Sequence, residues 1–447
     1  MTAFSKIHNK FIWPIVEHRN GILTKKHLDY LILSEKWSHD KIKQFQLERI
    51  KVIVRHAFEN CSFYKNHFNK IKLTPDDINS FKDFNKIPPV TREDLNMHLD
   101  DMIAKNINEK ERHFSTTGGS TGLATQFARD NACLGIKNAS EYRFNGWAGW
   151  EPGEKILYYW PALADFSEKS ARFKMIRSKY YSRSLSLYAG SLNEKILSEH
   201  LSAYKKFSPD LVRAFPSALQ RFAEYINEKK MKLHSPKAVI CVGEPLIQSQ
   251  RELFSKVFGC DVFNCYVSRE CGNIACECSA HSGLHVAEEM IYLEIENQGK
   301  GEFGEILLTD LWNMGMPFIR YRIQDAARWI NKTCSCGKEH RLLGVDAARI
   351  SDFLISPVDG SYVSGSTLTH YLLAEGPKIG RAKLVQDAPA HLRVIMTGSE
   401  TSNKEGIEHI RLRLNVIFKG SMNVDFEFVD SIPLLPSGKY SFVERKF

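Results

Sequence analysis

The chain has 447 residues, of which 43% are hydrophobic and 25% charged, the composition of an ordinary folded globular protein and not of a disordered or fibrous one. No apolar run approaches the roughly 18 residues that a bilayer span requires, and Met1 to Asn20 mix Lys, His, Glu and Arg among their hydrophobes, so a cytoplasmic protein with no transmembrane segment is expected. Lys and Arg number 61 against 52 Asp and Glu, a formal charge of +9, but no compact basic block with interleaved aromatics marks a nucleic-acid partner.

The length predicts roughly two to four domains, or one large domain with a small one. Trp37 to Phe68 read as helical, with Ile42, Phe45, Ile50, Ile53, Val54 and Ala57 near helical spacing, and Ile87-Pro-Pro89 ends this first region. Next comes Ser115-Thr-Thr-Gly-Gly-Ser-Thr-Gly122, three glycines and five hydroxyl side chains in eight residues with nothing hydrophobic to bury. Glycine tolerates positive φ and close approach, so the backbone N–H groups of such a loop can point into one concavity and wrap an anion. A flexible Gly/Ser/Thr turn has the same letters, and the rest of the chain must decide. The aromatic stretch from Tyr142 to Trp160 suits core packing, with an aromatic pocket as the alternative.

Between Ser217 and Val267 the pattern is β-α-β. Ser217 is placed to cap a helix whose apolar face is Leu219, Phe222, Ala223 and Ile226; Ala238 to Val242 then form a short apolar run suited to a buried parallel strand, closed by Gly243-Glu244. A second helix carries Leu253, Phe254, Val257 and Phe258, stops at Gly259 and feeds a strand through Val262, Phe263 and Tyr266. Ligands of such sheets bind at the carboxyl ends of the strands, which singles out Gly243-Glu244 and Tyr266-Val-Ser-Arg-Glu270. Strands are expected at Ile291 to Ile295, Glu305 to Thr309 and Phe318 to Arg328. A small α+β unit follows a boundary near Gly344 to Asp352: a strand at Leu392 to Met396, a helix carrying Ile407, Ile410, Leu414 and Ile417, and a strand at Val424 to Val429. Ile432-Pro-Leu-Leu-Pro-Ser-Gly-Lys439 reads as a loop holding a cation.

Taken in this order the pieces resemble the adenylate-forming superfamily, most closely its phenylacetate-CoA ligase-like branch, including relatives encoded in capsule and other surface-polysaccharide loci. Thr116-Thr-Gly-Gly-Ser-Thr-Gly122 is similar to the family's phosphate loop, Tyr266-Val-Ser-Arg-Glu270 to its Tyr-Gly-x-x-Glu motif, and Pro317-Phe-Ile-Arg-Tyr-Arg-Ile-Gln-Asp325 to its Pro-x-Ile-Arg-Tyr-x-x-x-Asp motif. Ala348-Arg-Ile-Ser-Asp352 resembles the Gly-Arg-x-x-Asp hinge and Ser437-Gly-Lys439 the C-terminal lysine loop. The resemblance implies an α/β fold: a large N-terminal adenylate-forming domain with mixed and parallel sheets, residues 1–345, and a small mobile α+β C-terminal domain, residues 346–447.

The activity it implies has two steps. A small carboxylic acid attacks the α-phosphate of ATP to give an acyl-adenylate and pyrophosphate, and a nucleophile, usually the thiol of CoA, then displaces AMP; an amine or another acceptor in surface-polysaccharide biosynthesis is the alternative. Carried over residue by residue, Thr116, Thr117, Gly118, Gly119, Ser120, Thr121 and Gly122 hold the phosphates; Gly243, Glu244 and Tyr266, singled out by their place at strand ends, are the further candidates for binding the nucleotide. Glu270 binds Mg²⁺, Asp325 takes the ribose hydroxyls with Arg349 nearby, and Lys439 stabilises the charge that grows on the α-phosphate. Lys439 and Glu270 are thus the catalytic pair, with Asp352 the pivot on which the small domain swings. A homodimer is compatible with the sequence. Four positions depart from the family pattern: Val267, Gln324 and Ala348 stand where glycines are expected, and Leu123 where a lysine is frequent.

Ten cysteines without a secretory signal suggest thiols or a metal site more than disulfides. They cluster in Cys271-Gly-Asn-Ile-Ala-Cys276-Glu-Cys278, followed by His281 and His285, and in Cys334-Ser-Cys336-Gly-Lys-Glu-His340. Thiolate and imidazole are what Zn²⁺ selects, so Cys278, His285, Cys334 and Cys336 are expected to form a structural zinc site, with His340 in reserve and buried thiols as the alternative.

Two rival readings use the same residues. Gly118-Gly-Ser-Thr-Gly122 also satisfies the Gly-x-Ser-x-Gly nucleophile elbow of α/β-hydrolases, with Ser120 as nucleophile, but that motif needs a hydrophobic strand before it and Asn108 to Thr117 is largely polar. A zinc-stapled binding protein that has lost catalysis is the other. The Walker pattern of a P-loop NTPase is absent.

Overall fold

The computed structural model describes residues 8–116, 125–160, 183–189, 192–296, 303–345, 353–358, 362–364, 368, 372, 381–433 and 442–447. Among them, no helix is long and apolar enough to cross a membrane.

Helix α1 (His39–Asn60) begins at Ser38, whose hydroxyl accepts from the Lys41 N–H, and buries a stripe of Ile42, Ile50, Ile53, Val54 and Ala57 at helical spacing. The stretch that reads as helical over Trp37 to Phe68 is two helices, α1 and α2 (Ser62–Lys70), separated by an extended Cys61. The cause lies partly outside the helix: the Asn60 carbonyl, which a continuing helix would need, accepts instead from the Lys105 N–H, and the Asn60 amide turns back onto the His56 carbonyl.

Strands β1 (His113–Thr116) and β2 (Gln126–Arg129) form an antiparallel pair. Helix α3 (Asn131–Trp147) follows, capped by Asp130, whose Oδ1 accepts from the Cys133 N–H at 2.8 Å. Then come β3 (Ile156–Trp160), β4 (Ser184–Tyr188), α4 (Glu194–Phe207), β5 (Leu211–Ala214), α5 (Pro216–Glu228), β6 (Ala238–Val242), α6 (Gln248–Phe258) and β7 (Asp261–Ser268). The β-α-β reading holds here, with α6 ending at a left-handed Gly259. Ser217 is not the cap of α5, however. The helix opens on Pro216, which lacks an N–H and has its φ already fixed, and the Ser217 N–H lies inside the first turn.

The chain continues through β8 (Gly272–Glu277), β9 (Leu284–Val286), β10 (Ile291–Glu296), β11 (Gly304–Asp310), β12 (Tyr321–Ile330) and β13 (Leu342–Gly344). With β3 to β7 these strands build an eleven-stranded sheet in the order β10-β11-β12-β13-β9-β8-β7-β6-β5-β3-β4. The β4-β3-β5-β6-β7 half is parallel and the pairings from β7 to β10 are antiparallel. Helices α4, α5 and α6 bury Leu201, Phe222 and Phe254 against one face of the parallel half. On the other face α3 packs Ile136, Ala139 and Phe144, and the expected aromatics Tyr142, Trp147, Trp150, Tyr158 and Trp160 pack in the same core. Burial on both faces explains why β6 reads as an unbroken apolar run.

At the C-terminal end β14 (Phe353–Ile355) pairs with β15 (Tyr362–Ser364). Strands β16 (Ala382–Ala388), β17 (His391–Thr397), β18 (Asn423–Val429) and β19 (Val443–Arg445) form a separate sheet in the order β18-β17-β16-β19. Helix α7 (Lys404–Ile417) crosses between the parallel strands β17 and β18 and buries Ile407, Ile410 and Leu414 on Leu392, Val394 and Met396. A large mixed sheet with a smaller α+β domain is therefore the architecture.

Candidate active site and metal centre

Strand β12 carries the expected ribose carboxylate in an irregular stretch. Its pairing with β11 jumps from Ala326↔Glu305 to Arg322↔Leu307, so three residues, Ile323 to Asp325, oppose one. Such a bulge re-aims side chains. Gln324, where the family pattern has glycine, sits at φ +67°, the left-handed region that a glycine enters freely. The departure noted in the sequence is thus a non-glycine residue held in the left-handed region.

Asp325 meets Tyr266 of β7, whose phenol donates to Oδ2 at 2.6 Å. Burial, and then the neighbouring carboxylate charge, push the Tyr266 phenol well above its ordinary range, so it stays a donor. Just beyond β7, Glu270 is nearly buried, and its Oε1 accepts from the Tyr321 hydroxyl at 3.4 Å. Its carbonyl accepts from Lys137 Nζ at 2.8 Å and from Arg129 Nη2 at 3.4 Å. Arg269 of the same segment donates to the Thr116 carbonyl at 3.3 Å, which ties the end of β1 to the end of β7. Thr116, Tyr266, Glu270 and Asp325 are therefore brought together through Arg269 and Tyr321.

Gly243 and Glu244 lie at the carboxyl end of β6. Gly243 has φ +76°, and a Cβ there would fall 2.5 Å from the Phe215 ring, which itself meets Trp160 edge-on at 5.1 Å. Glu244 Oε2 accepts from the Ser217 N–H at the start of α5, while Oε1 is buried with no hydrogen-bond partner among the described residues. Thr117, Gly118, Gly119, Ser120, Thr121, Gly122, Leu123, Ala348, Arg349, Asp352 and Lys439 lie outside the described residues. Sequence reasoning missed Tyr321 and Lys137. Tyr321 lay inside a motif already singled out; the signal for Lys137 was a lysine among Cys133, Ile136, Ser140 and Phe144 on the buried face of a helix.

A second centre lies where β8, β9 and the β12–β13 connection meet. Ligand atoms of Cys278, His285, Cys334 and Cys336 all fall within 4.8 Å of one another. Cys278 Sγ is 3.5 Å from Cys334 Sγ, and Cys336 Sγ is 3.2 Å from His285 Nε2. The His285 Nδ1–H donates to the His340 carbonyl at 3.1 Å, which leaves Nε2 to face the thiols. Burial pushes His285 down to about 4, so it is a neutral imidazole at physiological pH. Three thiols and one imidazole in a closed cluster fit zinc. His340 is not in the group; its Nε2 lies 2.8 Å from Glu289 Oε1, and Glu289 also pairs with Arg143 at 2.9 Å. Cys271 and Cys276 lie outside it too, Cys276 standing opposite Cys265 in the β7–β8 register.

Comparison with known proteins agrees with this architecture. Residues 354–446 match the family model described as the CapK C-terminal domain. The chain is 24% identical to Protein CapK of Staphylococcus aureus over 407 residues, covering 89% of this chain and 88% of that one. It is 26% identical to the phenylacetate-coenzyme A ligase of Escherichia coli over 352 residues, covering 75% and 76% respectively. Among solved structures, 2-hydroxyisobutyryl-CoA ligase in the postadenylation state superposes with a TM-score of 0.72 at 18% identity, over 92% of this chain and 90% of that one. The chain shares the fold of 2-hydroxyisobutyryl-CoA ligase. Relatives named Protein CapK and phenylacetate-coenzyme A ligase fit the resemblance seen in the sequence.

Proposed function

We propose that the protein activates a small carboxylic acid with ATP as an acyl-adenylate and transfers the acyl group to the thiol of CoA. The observation that carries this reading is the junction of Thr116, Glu270 and the Tyr266–Asp325 pair at the end of β7. In this assignment residues 116–122 cradle the triphosphate and Asp325 accepts from the ribose hydroxyls with one oxygen while Tyr266 holds the other. Glu270 binds Mg²⁺, which would offset the triphosphate charge. Gly243 and Glu244 border the nucleotide and Arg349 lies near the ribose. Lys439 stabilises charge at the α-phosphate, and the domain boundary at residues 345–346 with Asp352 as pivot lets residues 346–447 withdraw for the acceptor. Relatives support the CoA reading: they include the phenylacetate-coenzyme A ligases of Escherichia coli and Aromatoleum evansii.

We assign structural Zn²⁺ to Cys278, His285, Cys334 and Cys336. With all four positions filled by protein, the ion would staple β9 to the β12–β13 connection and have no open site for water.

The hydrolase alternative loses its structural context. A nucleophile elbow turns from a strand into a helix, whereas the segment holding Ser120 joins two antiparallel strands with Thr116 opposite Gln126. The test of the whole reading is ATP–pyrophosphate exchange across a panel of carboxylic acids, with wild type and Lys439→Ala. Acid-dependent exchange that collapses in a variant still able to bind ATP supports it. Exchange with no acid in a broad panel, or a Lys439→Ala variant as active as wild type, would overturn it.

A further inference from the structure

Lys137 is buried, yet no step assigned above uses it. It projects from α3 toward the end of β7, with its ammonium 2.8 Å from the Asp310 carboxylate and 2.8 Å from the Glu270 carbonyl. Asp310 is itself fixed, because its Oδ1 accepts from the N–H groups of Trp312 and Asn313 at 3.0 and 3.1 Å. The helix that carries Lys137 is anchored to the same loop. Asp130, its cap, takes the Met314 and Gly315 N–H groups on Oδ2 at 2.8 and 2.7 Å.

The room for this lysine is built into the segment it touches. Two residues after Glu270 the chain has Gly272 at φ +78°, and a Cβ there would stand 3.2 Å from Cγ and Cδ of Lys137. A buried ion pair by itself is weak evidence of a role, since apolar replacements of such pairs are frequently neutral or stabilising. The contact with Glu270 is what sets Lys137 apart from a mere ion pair: one of its N–H donors ends, at 2.8 Å, on the backbone of the residue whose carboxylate is to face the metal, a carbonyl that Arg129 reaches only at 3.4 Å. Tyr321 donates to that carboxylate itself.

We propose that Lys137 is a positioning residue for Glu270. By clamping the Glu270 carbonyl to Asp310 and α3, it holds the peptide in the one orientation from which the carboxylate, steered by Tyr321, presents an oxygen to Mg²⁺. The proposal rests on the reading of Glu270 as the Mg²⁺ ligand. Groups that orient metal ligands in this way are commonly worth 10- to 100-fold in metal affinity, and a clamp on the ligand's own backbone belongs with them.

The experiment is calorimetric titration of ATP into wild type, Lys137→Met and Glu270→Gln, each with Mg²⁺ and with EDTA. Wild type is expected to bind ATP more tightly with Mg²⁺. Lys137→Met is expected to keep its affinity in EDTA and to lose about tenfold or more of the Mg²⁺-dependent gain, as Glu270→Gln does. Because Lys137→Met leaves Asp310 buried and unpaired, the pair Lys137→Met with Asp310→Asn keeps the acceptor oxygen without the charge and is read in the same way. A folded variant with the wild-type Mg²⁺ response overturns the proposal and leaves the Glu270 assignment standing. Equal loss of affinity in EDTA and in Mg²⁺ also overturns it, since that is general damage to the site. A wild-type protein whose ATP affinity ignores Mg²⁺ removes the Glu270 assignment and this proposal together.

Discussion

Tyr266 and Asp325, 59 residues apart, meet at 2.6 Å because the bulge in β12 turns the carboxylate toward the end of β7. The phenol occupies one carboxylate oxygen and thereby aims the other. Tyr266→Phe removes the aim but keeps the ring. Hydrogen bonds to charged groups are worth about 1.5–3 kcal/mol, and we expect ATP affinity to fall by about tenfold, with Asp325→Ala weaker still. Titration of ATP into both variants checks the order; a Tyr266→Phe variant weaker than Asp325→Ala would reverse the assignment of which group touches the ribose.

The cysteine cluster makes a compositional prediction. Elemental analysis of the native protein is expected to find one zinc per chain, and Cys334→Ser or Cys336→Ser is expected to lose it. Chelation should lower the melting temperature by several degrees, because the four ligands come from two separated stretches of chain. Metal-free protein with an unchanged melting temperature would leave the cluster as ordinary buried thiols.

Glu289 predicts the acid limb of stability. Burial alone would raise its carboxyl, but Arg143 and His340 more than reverse this and hold it well below its ordinary value of 4.5. A depressed carboxyl contributes stability that is present above its unfolded value and lost as pH falls toward the folded one. Wild type should therefore lose stability steeply below about pH 5, whereas Glu289→Gln, less stable at neutral pH, should show a shallower decline. Parallel melting curves from pH 7 downward would show that Glu289 is not the group responsible.

Gln324 at φ +67° is a residue held where glycine is at ease. The left-handed region costs an ordinary residue about 1–2 kcal/mol, against roughly 0.5–1 kcal/mol for the extra freedom glycine loses on folding. Gln324→Gly should raise stability by up to about 1 kcal/mol, while the β-branched Gln324→Val should lower it and weaken ATP binding through Asp325. A denaturant titration that ranks glycine below glutamine would contradict the strain.

Where residues interact with near neighbours, the fold could be read from the chain. The apolar run of β6, the stop at Gly259 and the helix between β17 and β18 all follow from local periodicity. Cys278, His285, Cys334 and Cys336 were legible because their chemistry is selective even though 56 residues separate Cys278 from Cys334. The break at Cys61 was not, since it depends on Lys105 taking the Asn60 carbonyl. The β12 irregularity needs a partner strand to define it, and Lys137 needs Glu270, 133 residues away. Ser217 was misjudged for a smaller reason: Pro216 had already fixed where the helix begins.

Helix α3 carries Lys137 toward the Glu270 segment beyond β7 and Arg143 and Trp147 toward the cysteine centre, where Arg143 pairs with Glu289 and Trp147 lies edge-on to His285. Seventeen helical residues make a rod of about 25 Å, and each residue turns it by about 100°. The two centres thus share one axle. Removing or adding a single residue between positions 137 and 143 would dial one set of side chains a quarter turn or more out of phase with the other, so this stretch should tolerate exchange of letters far better than any change in their number.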